Sequence, residues 1–203
     1  MTSYKIWNLI IQAAAAVGTL ILALYAIWGN FIRSRYFGPK LKVFLLNPTG
    51  ELNPLNDGRQ CRNYHLKVTN SRKGTPAHNT QVFLMKIFRS AADGTLVDRS
   101  FSGPLQLTWQ FPEYHPQLLS VGPDRLCDLG RMIHGNPFEL MLYFTPNNFT
   151  KDVEANQKIQ VEVVAVAGNG ESKPIRIEIA WDGHWSDDTI EMNHHLVVKE
   201  VPR

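Results

Sequence analysis

The chain has 203 residues, of which 44% are hydrophobic, and it carries 21 basic and 18 acidic side chains. Five basic residues lie at or before Lys42 and all 18 acidic residues follow it, which leaves 16 basic against 18 acidic side chains beyond that point. This near balance excludes the basic stripe by which nucleic-acid-binding domains hold phosphates.

The N-terminal segment predicts a transmembrane helix within residues 1–32. No charged residue occurs from Ile6 to Ile32, and the most apolar part, Trp7–Trp28, has 22 residues. A helix of that length measures about 33 Å, which matches a hydrocarbon core of about 30 Å. Tryptophan brackets it at both ends, as aromatic residues do at the two membrane interfaces.

Two other interpretations of this segment stay open. A buried helix of a soluble domain would be shorter and would show a polar stripe. A cleaved signal peptide would use the A-x-A pattern in Ala13–Ala16, which leaves only Ile6–Gln12 as its apolar region. Signal peptides also place positive charge before the apolar run, where this chain has only Lys5. The pattern therefore favours a permanent single-pass anchor.

Charge around the anchor predicts its orientation. The basic residues that follow the apolar run are Arg33, Arg35, Lys40 and Lys42. Basic residues close to a span stay on the cytoplasmic side and favour anionic headgroups. We therefore expect a basic linker at residues 33–40, in which Gly38 and Pro39 prevent the helix from continuing, and a cytoplasmic remainder. The chain would lie at the cell inner membrane, with the lipid bilayer as its first partner.

Small residues on the helix predict self-association. Ala14 and Gly18 are four positions apart and share one helix face, which lets two backbones approach closely in lipid. The alternative is that alanine and glycine are simply tolerated in a membrane helix. The functional interpretation predicts a homo-oligomer formed through the transmembrane helix.

The rest of the chain, residues 41–203, predicts an all-β domain. Period-two alternation of apolar and polar residues is clearest in Lys158–Gly168 and Pro174–Trp181. The whole pattern indicates eight to ten short strands separated by turns, which favours an antiparallel β-sandwich over a barrel. One helical turn is expected at Asp188–His194, with Asp188 as its cap.

One stretch of this domain carries a family resemblance. "HLKVTNSRKGTPAHNTQVFL" resembles the strand–turn–strand unit of bacterial immunoglobulin-like modules in its strand-ending Asn70, its turn residue Gly74, and Ala77 and Asn79 before the next strand. The resemblance covers about 20 residues and concerns the fold only. It implies an immunoglobulin-like sandwich with a role in adhesion, spacing or binding, and no specific activity.

The two cysteines, Cys61 and Cys127, are predicted to be free thiols. An immunoglobulin-type disulfide would have a tryptophan about a dozen residues after the first cysteine. The next tryptophan is Trp109, 48 residues on, so the pattern fails. A cytoplasmic setting also favours reduced thiols. Neither cysteine lies in a metal-binding spacing.

A dense polar segment near the C-terminus is the candidate for metal chemistry. Carboxylates and imidazoles together suit zinc, manganese or iron. A helix over Asp188–His195 would bring several of them, including His195, near one face. The favoured alternative is a surface extension whose tryptophans pack on the sandwich, so no cofactor is predicted. The metal candidates are Asp182, His184, Asp187, Glu191 and His194.

A recognition surface is predicted from aromatic and imidazole side chains, since aromatic residues anchor interfaces. The alternative is that the first of them, Trp109, belongs to the core. The chain has no nucleophile-elbow motif and no phosphate-binding loop, and neither thiol has a helix N-terminus to activate it. The recognition candidates are Trp109, Tyr114, His184 and Trp185.

The functional hypothesis is a non-catalytic, membrane-tethered binding or sensing module that acts through a protein partner at the cytoplasmic membrane face. Tethering raises the effective concentration of that partner. One alternative is a membrane-anchored effector that oligomerises to disrupt the membrane. Another is a metal-dependent membrane-bound hydrolase, which would need the C-terminal polar segment to converge on an ion.

Overall fold

The chain forms two compact units, Met1–Gly38 and Pro39–Arg203. The computed structural model describes residues 3–72, 74–91, 93–110, 119–121 and 124–202. The boundary between the units falls inside the linker predicted at residues 33–40. The first unit contains the N-terminal helix, and the second contains the strands.

The N-terminal helix, α1, runs from Ser3 to Phe37. Its stretch Ile6–Gly29 has 24 residues and a mean hydropathy of 2.1, so it is long and apolar enough to cross a membrane. Leu20 and Leu22 are 60% and 69% exposed, although leucine is normally a core residue. The prediction of one apolar N-terminal helix is confirmed, and the helix continues into the predicted linker.

Among the residues that the structure describes, the second unit has fifteen strands and one short helix, α2 (Thr189–His195). In chain order the strands are β1 (Leu41–Leu45), β2 (Glu51–Pro54), β3 (Gln60–Asn70), β4 (Ala77–Ser90), β5 (Leu96–Asp98), β6 (Leu105–Gln106), β7 (Thr108–Trp109), β8 (Leu119–Val121), β9 (Asp124–Ile133), β10 (Phe138–Leu140), β11 (Asp152–Val153), β12 (Gln157–Ala167), β13 (Gly170–Glu171), β14 (Ile175–Trp181) and β15 (Leu196–Val201). They outnumber the eight to ten predicted strands because seven of them have only two or three residues.

The strands form two antiparallel sheets. The first has the order β1-β3-β9-β10-β11, with β2 beside β3 and β7 beside β9. The second has the order β15-β14-β12-β4-β5, with β6 and β8 beside β4 and β13 beside β12. The predicted antiparallel β-sandwich preceded by one apolar helix is therefore confirmed, while the finer likeness to immunoglobulin-like modules stays a prediction.

The core lies between the two sheets and follows the period-two pattern of the sequence. In β12, Ile159, Val161, Val163 and Ala165 are all fully buried, as their alternation predicts. They join one hydrophobic cluster with residues of the first sheet such as Leu66. Burying one such aliphatic side chain contributes about 1.5–3 kcal/mol.

The segment that resembles immunoglobulin-like modules connects the two sheets. β3 belongs to the first sheet and β4 to the second. The side chain of Asn70 holds the turn by accepting from the backbone N–H groups of Lys40 and Arg72 at 3.1 Å and donating to the carbonyl of Thr75 at 2.7 Å. Gly74 has φ +81°, a conformation that glycine adopts without strain.

Two local predictions are also confirmed. The side chain of Asp188 caps α2 by accepting from the backbone N–H groups of Ile190 and Glu191, each at 2.8 Å. Cys61 and Cys127 are free and buried. Burial raises the pKa of both thiols, most strongly that of Cys127.

Candidate functional site

Strand pairing brings the polar residues at the corner between β14 and β15 together. Trp181, the last residue of β14, pairs with Leu196, the first residue of β15. Asp182 and His195 flank that pair, and the backbone N–H of Asp182 donates to the carbonyl of His195 at 3.1 Å. Residues 13 positions apart in sequence therefore become neighbours. We call Asp182, His184 and His195 the corner cluster.

Within the corner cluster, one carboxylate contacts two imidazoles. Nδ1 of His195 lies 2.8 Å from Oδ2 of Asp182, and Nδ1 of His184 lies 3.2 Å from Oδ1. The centroids of the two imidazole rings are 5.1 Å apart. One potential metal-ligating atom from each residue lies within 4.8 Å of the others.

The turn between Asp182 and His184 is fixed by backbone and indole contacts. Gly183 has φ +101°, and a Cβ there would lie 2.9 Å from the Cβ of Ala155. The backbone N–H of His184 donates to Oδ1 of Asp182 at 2.9 Å, and its carbonyl accepts from Nε1 of Trp181 at 2.9 Å. These contacts hold the His184 ring beside Asp182.

The environment of Asp182 favours its ionised form. Partial burial opposes ionisation, but hydrogen bonds from the His195 side chain and from the backbone and side chain of His184 outweigh it, so the pKa of Asp182 is lowered. The corner cluster therefore presents an anionic carboxylate between two imidazole nitrogens.

The corner cluster borders an open pocket of about 290 Å³. Asp182 and His195 line it together with His194, Lys158 and Asn156. The side chain of His184 is 74% exposed and that of His195 is 26% exposed. Water and small ligands therefore have access to the cluster from the pocket side.

Two of the predicted metal candidates lie away from the corner cluster. Oδ1 of Asp187 accepts from Nε1 of Trp185 at 2.7 Å, and Oε2 of Glu191 accepts from the hydroxyl of Ser186 at 2.7 Å. The structure thus brings Asp182 and His184 together with His195. Asp187 and Glu191 instead form hydrogen bonds with residues of the loop that precedes α2, residues 183–188.

A fully buried arginine holds that loop on the first sheet. From β3, the guanidinium of Arg62 donates to the carbonyls of Thr49 at 3.0 Å and Asp187 at 3.2 Å. No carboxylate within the described ranges pairs with it, so carbonyl dipoles balance its charge. In the same loop, Trp185 stacks on His134 with ring centroids 5.3 Å apart. No local sequence pattern indicates these contacts.

The predicted recognition residues have different positions. Trp109 is 2% exposed and belongs to the core, so its ring cannot reach a partner and its place in the recognition surface is corrected. Trp185 is partly buried against the core, whereas His184 is exposed. Tyr114 lies outside the described residues.

The structure also places the residues predicted to govern membrane orientation and association. Arg33 and Arg35 lie in the last turns of α1, and Lys40 and Lys42 are exposed in the second unit. Ala14 and Gly18, the two small residues predicted to mediate association, are exposed, and a Cβ at Gly18 would meet no side chain of a residue beyond its chain neighbours within 4 Å.

Sequence reasoning missed a second histidine–carboxylate pair. Nδ1 of His65 in β3 lies 2.8 Å from Oδ1 of Asp128 in β9, and its Nε2 lies 3.8 Å from Glu51. A register shift between Tyr64 and His65 aligns this pair. The thiol of Cys127, next to Asp128 in β9, donates to the carbonyl of Thr108 rather than to this pair.

The chemistry available at these two places is ion binding and hydrogen bonding. The corner cluster offers three ligands of the types that bind transition metals, and the His65–Asp128 pair is a cross-strand hydrogen bond. No protein-family model matches this chain, and no curated protein matches it.

Proposed function

We propose that this chain is a membrane-tethered binding or sensing module, non-catalytic, with α1 crossing the cell inner membrane once. The observation that carries the proposal is the exposed, uncharged stretch Ile6–Gly29. Apolar surface left in water costs about 25 cal/mol per Å². Lipid removes that cost, while the backbone hydrogen bonds of the helix are made internally.

The proposed orientation has the sandwich on the cytoplasmic side. Four basic residues follow the span and one precedes it, which favours this topology. Two free, buried thiols suit a reducing compartment. If the N-terminal segment were instead a signal peptide, it would be cleaved off and the sandwich would be released from the membrane.

Membrane extraction and a reporter fusion test the tether. The chain should remain in the membrane pellet after alkaline carbonate washing and should keep its full length, Met1 to Arg203. A fluorescent reporter fused after Arg203 should report a cytoplasmic location, and an alkaline phosphatase fusion at the same point should stay inactive. A shortened, soluble chain or an active phosphatase would overturn the proposal.

A partner would find its aromatic contacts on two neighbouring loops, residues 99–104 and 142–150, which we call the aromatic loops. The backbone N–H of Tyr143 donates to the carbonyl of Gln106 at 2.8 Å, and Phe101 packs edge-on against Phe149. Tyr143 and Phe144 are nevertheless 51% and 71% exposed. Exposed aromatic side chains on anchored loops are typical of interface hot spots.

A photo-crosslinking residue at Phe144 tests this surface in intact membranes. The matched control is the same residue at Ile190, which is equally apolar and 74% exposed but lies on α2. A discrete protein adduct from position 144 and none from position 190 is expected. Adducts with lipid, or equal adducts from both positions, would count against a protein partner at the aromatic loops.

The proposed self-association uses the helix face with Ala14 and Gly18. The alternative function, an effector that disrupts the membrane, requires the same self-association. Close helix approach would need the lack of a side chain at Gly18. Since a Cβ at Gly18 would meet no side chain beyond its chain neighbours within 4 Å, we expect α1 to remain helical in Gly18→Ile. Crosslinking in membranes should therefore give an oligomer that Gly18→Ile removes, and an unchanged oligomer would exclude this face.

A further inference from the structure

The corner cluster has the ligand chemistry of a metal site. It combines two imidazoles with one carboxylate, and one potential ligand atom of each lies within 4.8 Å of the others. Nitrogen and carboxylate oxygen together suit zinc and neighbouring divalent metals, whereas calcium and magnesium prefer oxygen alone.

The distances within the cluster match a shared ion. Zinc binds imidazole nitrogen and carboxylate oxygen at about 2.0–2.2 Å, so ligand atoms on one tetrahedral ion stand about 3.4 Å apart. The two nitrogen–oxygen separations in the cluster are 2.8 Å and 3.2 Å. All three ligating atoms lie within 4.8 Å of one another, so the longest separation has to shorten by at most about 1.4 Å, which side-chain rotation can supply.

The three ligands come from backbone positions that other contacts already fix. Asp182 and His195 are joined through the paired ends of β14 and β15, and Trp181 holds the His184 carbonyl. A ligand set on fixed backbone loses little conformational freedom when an ion binds. The adjoining pocket leaves room for water at the remaining coordination positions.

We propose that Asp182, His184 and His195 bind one divalent metal ion of the zinc class. The ion replaces the two hydrogen bonds between the carboxylate and the imidazoles, and each imidazole then binds it through one ring nitrogen and carries its proton on the other. It then joins the end of β14, the following turn and the start of β15. This proposal rests on the corner alone and is independent of the membrane tether, so failure of one leaves the other intact.

Metal titration of the full chain in detergent tests the site, with a tag that contains no histidine. Co²⁺ is the probe, because its visible absorption reports tetrahedral coordination, and Zn²⁺ is added to displace it. The ligand variants are Asp182→Asn and His195→Gln. The matched control is His194→Gln, which changes the adjacent residue on the same pocket without touching the corner cluster.

One equivalent of Co²⁺ should bind with a tetrahedral spectrum and be displaced by Zn²⁺. Each ligand variant should weaken the affinity at least about tenfold, and His194→Gln should leave it unchanged. Slow labelling of Cys61 and Cys127 serves as the check that each variant is folded. A chain that binds no stoichiometric metal, or a control that weakens binding as much as His195→Gln does, would overturn the proposal.

Discussion

Leucine has opposite surroundings in the two units of this protein. Leu22 in α1 is 69% exposed, whereas Leu66 in β3 is fully buried. The sandwich covers its apolar side chains with its own second sheet, while α1 leaves them exposed. The same apolar composition therefore stabilises the sandwich internally, whereas along α1 it gives a surface that the proposed membrane span would bury in lipid.

The largest expected effect comes from removing a core ring. Phe138 is fully buried, lies over Gly130, and contacts Tyr64 at a centroid distance of 5.5 Å. Phe138→Ala should lower the free energy of unfolding of the sandwich by about 3–5 kcal/mol. The measurement is the rate of thiol labelling in urea, because both cysteines are buried in the sandwich and none lies in α1.

The control for this prediction is a truncation of the same kind in the helix. Leu22→Ala should leave thiol labelling unchanged, since the Leu22 side chain is exposed along α1. If Leu22→Ala destabilised the sandwich as strongly as Phe138→Ala does, the contrast between the two units would be wrong.

A charge in the middle of α1 should have the next largest effect. Leu20→Arg replaces a residue that favours the bilayer centre with one that disfavours it, a change of about 3 kcal/mol in the free energy of insertion. The membrane-bound fraction after carbonate washing should fall, while the matched variant Leu20→Ile should remain bound. Thiol labelling should be the same in both. Equal retention of the two variants would mean that α1 is not embedded in lipid.

Much of the fold could be predicted because its signals are local. Alternation from Ile159 to Ala165 predicts which face of β12 is buried, and the uncharged run Ile6–Gly29 predicts a helix long and apolar enough to cross a membrane. Sheet membership could not be predicted in the same way. Whether β3 and β4 pair or lie in opposite sheets depends on contacts between distant strands.

The candidate site was only partly predictable for the same reason. Asp182 and His184 stand out in the sequence, and the helix-face argument grouped His195 with other residues of segment 187–194. The pairing of β14 with β15 places His195 beside Asp182. His65 and Asp128 are 63 residues apart and meet across a register shift, so no local spacing indicates them.

The smallest expected effect concerns surface charge on the sandwich, a feature that the stretch Ile6–Gly29 of α1 does not have. Glu139 in β10 accepts from Nε of Arg131 at 3.1 Å and from the ammonium of Lys151. Partial burial opposes ionisation, but the hydrogen bonds from Lys151 and Arg131 outweigh it and lower the pKa of Glu139. A carboxyl whose pKa is lower in the folded chain stabilises the fold only while it is ionised.

Glu139→Gln should therefore lower the free energy of unfolding at neutral pH by up to about 1 kcal/mol, since the basic partners are partly exposed to solvent. The difference from the unsubstituted chain should be full above the unfolded carboxyl pKa of about 4.3 and should disappear as the pH falls through the lower folded value. The control is Glu171→Gln, an exposed residue with no ion pair among the described residues. A difference for Glu139→Gln that persisted in acid would mean that packing of the side chain, rather than its charge, stabilises this edge of the sandwich.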